Sequence, residues 1–184
     1  MIGCHCHLEF MPSIEDVIKE ARKKMTGIVT SATEPQYYKQ MMDLKKQHLD
    51  FVHLCLGMHP TRVSALGEKE AADAMKFIKN NQRAIVAVGE VGIDYYHLSS
   101  VSSREDAEKL FIKMIDLANR IKKPLVVHSR NSAKDETSDG VQKAIDLLEL
   151  ARVPVMMHFF SGTKEQMIDC VGRGYYISDR KSVV

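Results

Sequence analysis

The sequence predicts an α/β fold of parallel strands covered by helices, either a barrel or a doubly wound sheet. Three observations carry this. Short extended apolar runs alternate strictly with longer stretches of helical spacing, the pattern of successive β–α units. No strand is followed by the phosphate fingerprint G-x-G-x-x-G. "GEVGID" (89–94) lacks its spacing and has a carboxylate where close backbone approach is needed, which weighs against a dinucleotide-binding sheet. Histidines and one glutamate recur at the strand ends, where barrels gather their functional groups.

The elements follow in order. "MIGCHCHL" (1–8) reads as the first strand, and "SIEDVIKEARKK" (13–24) follows with apolar residues at Ile14, Val17, Ile18 and Ala21. Ser13 stands where an N-cap belongs, with Asp16 three residues later. "GIVTSAT" (27–33) is a second strand, with a helix from about Gln36 to Gln47. "FVHLCLGMHP" (51–60) is a third, closed by Pro60, and "EKEAADAMKFIKNN" (68–81) is helical. "AIVAVGEVGIDYY" (84–96) is the fourth strand, and "REDAEKLFIKMIDLANRIKK" (104–123) is the longest and clearest helix. "PLVVHS" (124–129), "SDGVQKAIDLLELAR" (138–152), "VPVMMHFF" (153–160) and "TKEQMIDCVGRG" (163–174) continue the alternation, and "YYIS" (175–178) begins a seventh strand. No linker, low-complexity stretch or repeat interrupts residues 1–184, so a single domain is expected.

The bulk numbers narrow the class. The 184 residues are 45% hydrophobic and 27% charged, as in an ordinary globular domain, but short of the roughly 250 typical of an eight-stranded barrel. A net charge of +2 gives no argument for nucleic acid by itself, so an anionic substrate must be held locally. The groups "RKK" (22–24), "KK" (45–46) and "RIKK" (120–123) read as solvated helix faces. No apolar run approaches about 18 residues and no signal-peptide pattern opens the chain, so no membrane contact and a cytosolic location are expected. Cys4, Cys6, Cys55 and Cys170 lack the paired spacing of a structural zinc site and read as buried thiols.

The strand ends carry the chemistry. In an extended strand residues i and i+2 share a face, so His5 and His7 project together. His59, Glu90, His128 and His158 follow at later strand ends. Glu90 is the most telling, since "AIVAVGEVGI" buries a carboxylate among valines and glycines, with Val86, Val88 and Glu90 expected on one face. Such a carboxylate costs several kcal/mol unless paired or metal-bound. Bridging two metals would account for it; a tertiary ion pair is the alternative. Imidazole and carboxylate together suit zinc or manganese, with magnesium an option. Two such ions about 3.5–4 Å apart serve phosphodiester displacement. Arg130 offers a guanidinium fork for phosphate or an ordinary salt bridge. Ser161, Gly162 and Thr163 stand at a helix N-terminus that could attract an anion, although Thr163 with Gln166 also reads as a capping box. His48 and His97 read as surface residues and His53 as core.

These motifs together resemble the TatD-type deoxyribonucleases, metal-dependent members of the amidohydrolase-like barrels. The resemblance rests on "HCHL", "LGMHP", "VGEVGIDYY", "VVHSR" and "MHFFSGT", in the family's order and spacing over nearly the whole chain. It implies a (β/α)8 TIM-type barrel, incomplete here at about seven strands, and metal-dependent hydrolysis of DNA. It further implies His5, His7, Glu90, His128 and His158 as ligands of two divalent ions, with Glu90 bridging and catalytic, and His59 and Arg130 as substrate-binding. Three departures stand out. Gly3 replaces the aspartate of "D-x-H-x-H", Asn131 replaces that of "HSRD", and the chain ends at "YYISDRKSVV" without the family's eighth-strand "ETDSP"-like segment. Asp179, the acidic residue of that tail, follows the wrong strand to replace it. Two alternatives follow. One is a hydrolase of the same barrel group acting on a lactone, amide or aminopurine, which the His-x-His strand fits equally well. The other is an inactive, C-terminally short barrel.

Overall fold

Strict alternation of strand and helix produces one sheet whose strands lie in chain order. The computed structural model describes residues 1–98, 100–133, 135 and 138–179, without the side chains of Ser64 and Asp179. The strands are β1 (Ile2–Cys6), β2 (Gly27–Ala32), β3 (Val52–Leu56), β4 (Ala87–Asp94), β5 (Leu125–Arg130), β6 (Val155–Phe160) and β7 (Tyr176–Asp179). The helices are α1 (Ile14–Arg22), α2 (Pro35–Gln47), α3 (Glu68–Asn80), α4 (Val101–Ile121), α5 (Gly140–Leu147) and α6 (Lys164–Gly172). Each strand pairs parallel with the next, β1 through β7. That is the order of a barrel, and it resolves the choice against a doubly wound sheet, whose order reverses at a switch point.

The sheet is curled. His5 on β1 and His158 on β6 stack with ring centroids 3.6 Å apart, although five strand spacings in a flat sheet would separate them by about 24 Å. Curling gives the strands an inner and an outer face. The outer face and the helices form the main core, which includes Ile28, Leu54, Leu56, Val91, Leu125 and Val127 packed with Tyr38, Met41, Phe111 and Met114. The inner face carries a separate small cluster of Cys55, Ala87 and Val126, with Val29 and Met156 against it. Because strand faces repeat every two residues, His128 and His158 rise directly above Val126 and Met156. The inner layer is thus apolar at its base and polar at the C-terminal rim.

Several local expectations change. α1 begins after Ser13, but the Ser13 side chain makes no capping bond. Thr163 and Gln166 form the reciprocal capping box at α6, so their bonds serve the helix itself. The fourth strand starts at Ala87 and Val86 is exposed, so Val86, Val88 and Glu90 do not form one regular buried face. Cys4 lies exposed on edge strand β1 and is not a buried thiol; Cys6 is half-buried, and Cys55 and Cys170 are buried. The basic helix faces pair locally, as in Arg22 with Asp50 at 2.9 Å and Arg120 with Asp116 at 2.8 Å. Among the described residues, no helix is long and apolar enough to cross a membrane.

Candidate metal centre

Three strands carry an irregularity at the residue they aim inward. The β1–β2 register shifts between Gly3 and Cys6, the β4–β5 register between Gly89 and Val91, and the β6–β7 register between Met157 and Phe160. Each leaves one extra residue on the strand, a bulge that re-aims a side chain. His5, Glu90 and His158 sit within these three bulges. Regular alternation already turns His158 inward but would not bring His5 and Glu90 to meet it, which is why the sequence pattern placed Glu90 with Val86 and Val88. At the third bulge Phe159 has φ 49°, a left-handed conformation costly for a bulky side chain. Its backbone N–H is held by Ser178 Oγ at 2.9 Å, and Ser178 Oγ also meets His158 Nδ1 at 3.1 Å.

The two oxygens of Glu90 face different imidazoles. Oε2 lies 3.1 Å from His5 Nε2 and 3.2 Å from His7 Nε2, which are themselves 3.0 Å apart. Oε1 lies 3.1 Å from His128 Nδ1 and 3.7 Å from His59 Nε2. Glu90 is 2% exposed. Two triads of candidate ligand atoms share this carboxylate: His5, Glu90 and His158, and His59, Glu90 and His128, each with its atoms within 4.8 Å of one another. The structure therefore brings together His5, His7, His59, Glu90, His128 and His158. It leaves His53 out of both triads, on the inner face below Cys55, and ties His48 to Glu15 at 3.1 Å.

Electrostatics follow from that packing. Burial opposes the Glu90 charge, yet the close imidazoles of His128, His5, His59 and His7 outweigh it and hold the carboxyl well below the usual range. Burial likewise opposes charging His7 and His128. The carboxylates of Glu9 and Glu90 beside His7 carry it up to about 10, and hydrogen bonds to Asp94 and Glu90 carry His128 up to about 9. Burial, reinforced by neighbouring His5, lowers His158 to about 4, and burial lowers His59. Burial pushes the thiols of Cys6 and Cys55 up to about 11 and about 12, so neither offers a thiolate at neutral pH. A buried carboxylate with imidazole nitrogens around both oxygens matches the donor set of a divalent cation such as zinc.

Two supporting carboxylates were not singled out in the sequence. Asp94, fully buried, meets His128 Nε2 at 2.8 Å and His97 Nδ1 at 3.0 Å, and accepts from the His97 N–H at 2.9 Å. His97 itself is exposed, as the surface reading expected, and reaches this cluster through Asp94. The carboxylate of Glu9, on the 3₁₀ turn Leu8–Phe10, lies 3.6 Å from His7 Nδ1 and accepts from Thr33. The only sequence signal for either was its place just after a ligand-bearing run. Arg130 ends β5 with its guanidinium 3.8 Å from the Tyr96 ring centroid, and no ion pair engages it among the described residues. Asn131, where the resemblance expects aspartate, accepts from the Val141 N–H at 2.9 Å and so tethers the start of α5. The side chain of Asp179 lies outside the described residues.

Comparison with known proteins places this geometry. The human protein named deoxyribonuclease TATDN3 is 28% identical over 200 aligned residues, covering all of this chain and 69% of the human one. MJ1582 of Methanocaldococcus jannaschii, an uncharacterized metal-dependent hydrolase, is 34% identical over 132 residues, covering 70% of this chain and 50% of its own. The crystal structure of YJJV, a TatD homolog from Escherichia coli, matches with a TM-score of 0.79 and 26% identity, over 96% of this chain and 66% of that one. The chain thus spans from half to about two thirds of the lengths of these proteins. The profile of the family described as TatD related DNase matches residues 2–184, and the chain belongs to that family.

Proposed function

We propose that this chain is a metal-dependent hydrolase domain spanning residues 1–184 that cleaves phosphodiester bonds of DNA. The observation that carries the reading is one buried carboxylate, Glu90, shared between two sets of imidazoles. We assign His5, His7 and His158 to one side of Glu90 and His128 to the other, as the ligands of two divalent ions of the zinc, manganese or magnesium class. Ions held there would supply Lewis acidity and a lowered water pKa for in-line displacement at phosphorus. Glu90 keeps its charge and fixes the spacing of the two groups. His59 and Arg130 would face the phosphoryl oxygens; the guanidinium of Arg130, which has no ion-pair partner among the described residues, and its seat over Tyr96 support that role. Water adds to phosphorus, the bond from phosphorus to a deoxyribose oxygen breaks, and that oxygen departs with a proton that the attacking water gives up. The four free thiols support a reducing, cytosolic setting.

The test is hydrolysis of end-labelled single-stranded DNA by the purified chain, with added divalent metal, with EDTA, and with a His5→Ala/His7→Ala control. Metal-dependent cleavage lost in the control is expected. Absence of cleavage from folded, metal-loaded protein would overturn the reading, and a panel of ester and amide substrates would then identify the bond.

A further inference from the structure

Resting on the nuclease reading, we propose that the niche between the 3₁₀ turns Leu8–Phe10 and Pro60–Ala65 is a subsite for one nucleobase beside the scissile bond. The niche encloses about 250 Å³ and is lined by His7, Phe10, Thr33, His59 and Thr61, together with the Glu34–Arg62 pair. Its position ties it to the chemistry. His7 Nε2 and His59 Nε2 lie 3.2 and 3.7 Å from the two oxygens of Glu90, so the space opens directly beside the shared carboxylate.

Charge, size and surface each narrow the occupant. Both cations of the niche are already paired, Arg62 with Glu34 at 2.9 Å and the His7 imidazolium with Glu90 at 3.2 Å, whereas the guanidinium of Arg130 on β5 has no ion-pair partner among the described residues. A phosphate is drawn to Arg130, and the niche suits an uncharged group. Its volume falls below the roughly 300–1,000 Å³ of pockets for drug-sized ligands, so it takes one flat ring system and not two. Phe10 supplies the apolar surface. It remains 55% exposed while Tyr37 packs edge-on against it, with centroids 5.6 Å apart and planes at 85°. An aromatic ring braced in this way and left open beside a polar site is a stacking platform, and stacking tolerates any base because every base has a π-face. The nearby hydroxyls are engaged internally, Thr61 with His59 at 2.8 Å and Thr33 with Glu9 at 3.3 Å. The niche therefore reads the flat face of a base and discriminates little between bases.

The experiment uses the metal-loaded chain and single-stranded oligonucleotides in which one abasic site is moved stepwise past the cleaved bond. At one flanking position the abasic site should lower kcat/KM about tenfold, mostly through KM. Phe10→Ala should lower cleavage of the intact oligonucleotide to the same level without adding to the abasic loss, and Phe10→Trp should restore it. Cleavage indifferent to Phe10 and to every abasic position overturns the subsite alone, as does full additivity of the two losses. Absence of cleavage by the unsubstituted chain defeats the nuclease reading, and the subsite with it.

Discussion

Replacing Glu90 by glutamine would keep the side chain's shape and remove its charge. The imidazoles of His5, His7 and His128 lie 3.1–3.2 Å from its oxygens, so an amide cannot substitute as a shared acceptor. Glu90→Gln should weaken divalent metal binding by more than about a hundredfold, since groups one step removed already cost 10–100-fold; isothermal titration would measure it. Asp94 is one such group, holding His128 Nε2 at 2.8 Å, and Asp94→Asn should cost about 10–100-fold in metal affinity with circular dichroism unchanged. A pH dependence follows for the metal-free chain. His7 and His128 are raised from an ordinary 6.5 to about 10 and about 9. A raised value contributes stability that is complete below the unfolded pKa and is lost as pH climbs through the folded one. The metal-free melting temperature should therefore fall between pH 7 and 10, and fall less in Glu90→Gln. The imidazoles and Glu90 were legible because each interrupts or ends an apolar run. Asp94 was not, because an aspartate before "YYH" also reads as a turn residue and its partner His128 is 34 positions away.

Between residues and sheet stand the bulges, which place the site and leave no periodic trace. Alternation in "AIVAVGEVGIDYY" assigns faces by counting in twos, and an extra residue at Glu90 resets the count. The order of strands and helices, by contrast, was legible almost throughout, because apolar runs and amphipathic stretches alternate without interruption. One glycine next to the β4 bulge makes the cost of the geometry measurable. Gly92 has φ 141°, and a Cβ there would stand 2.0 Å from the His128 carbonyl oxygen. Gly92→Ala would both strain β4 and push away the strand that carries His128. It should destabilise the chain by at least about 3 kcal/mol in urea denaturation. Thr163→Ala offers a contrast at an element end. It removes one half of the α6 capping box, far from Glu90 in the bonding network, and should cost about 1 kcal/mol while leaving metal affinity unchanged.

At the scale of the whole molecule, the cluster joins parts of the sheet that hydrogen bonding does not. β1 is paired with β2, and β6 with β5 and β7, yet His5 and His158 meet across the interior. A cation held by both therefore cross-links strands otherwise connected only through the long way round the sheet. In the metal-free chain the same closure brings His158, lowered to about 4 by burial and its imidazole neighbours, against His5 with no bond between them in compensation. Metal at a hundred times its dissociation constant should add about 2.7 kcal/mol, equivalent to roughly 5–10 °C in melting temperature for a chain of this size. The gain should be local in hydrogen exchange. β1 and β6 should become more protected on metal addition, while β2 and β3, held by α2 and the outer core through Ile28, Leu54 and Met41, should change little. Uniform protection across all strands would mean that the ion acts on global stability alone. Protection confined to β4 and β5 would mean that metal occupies the His128 side of Glu90 alone, leaving His5 and His158 a stacked pair without a shared ligand.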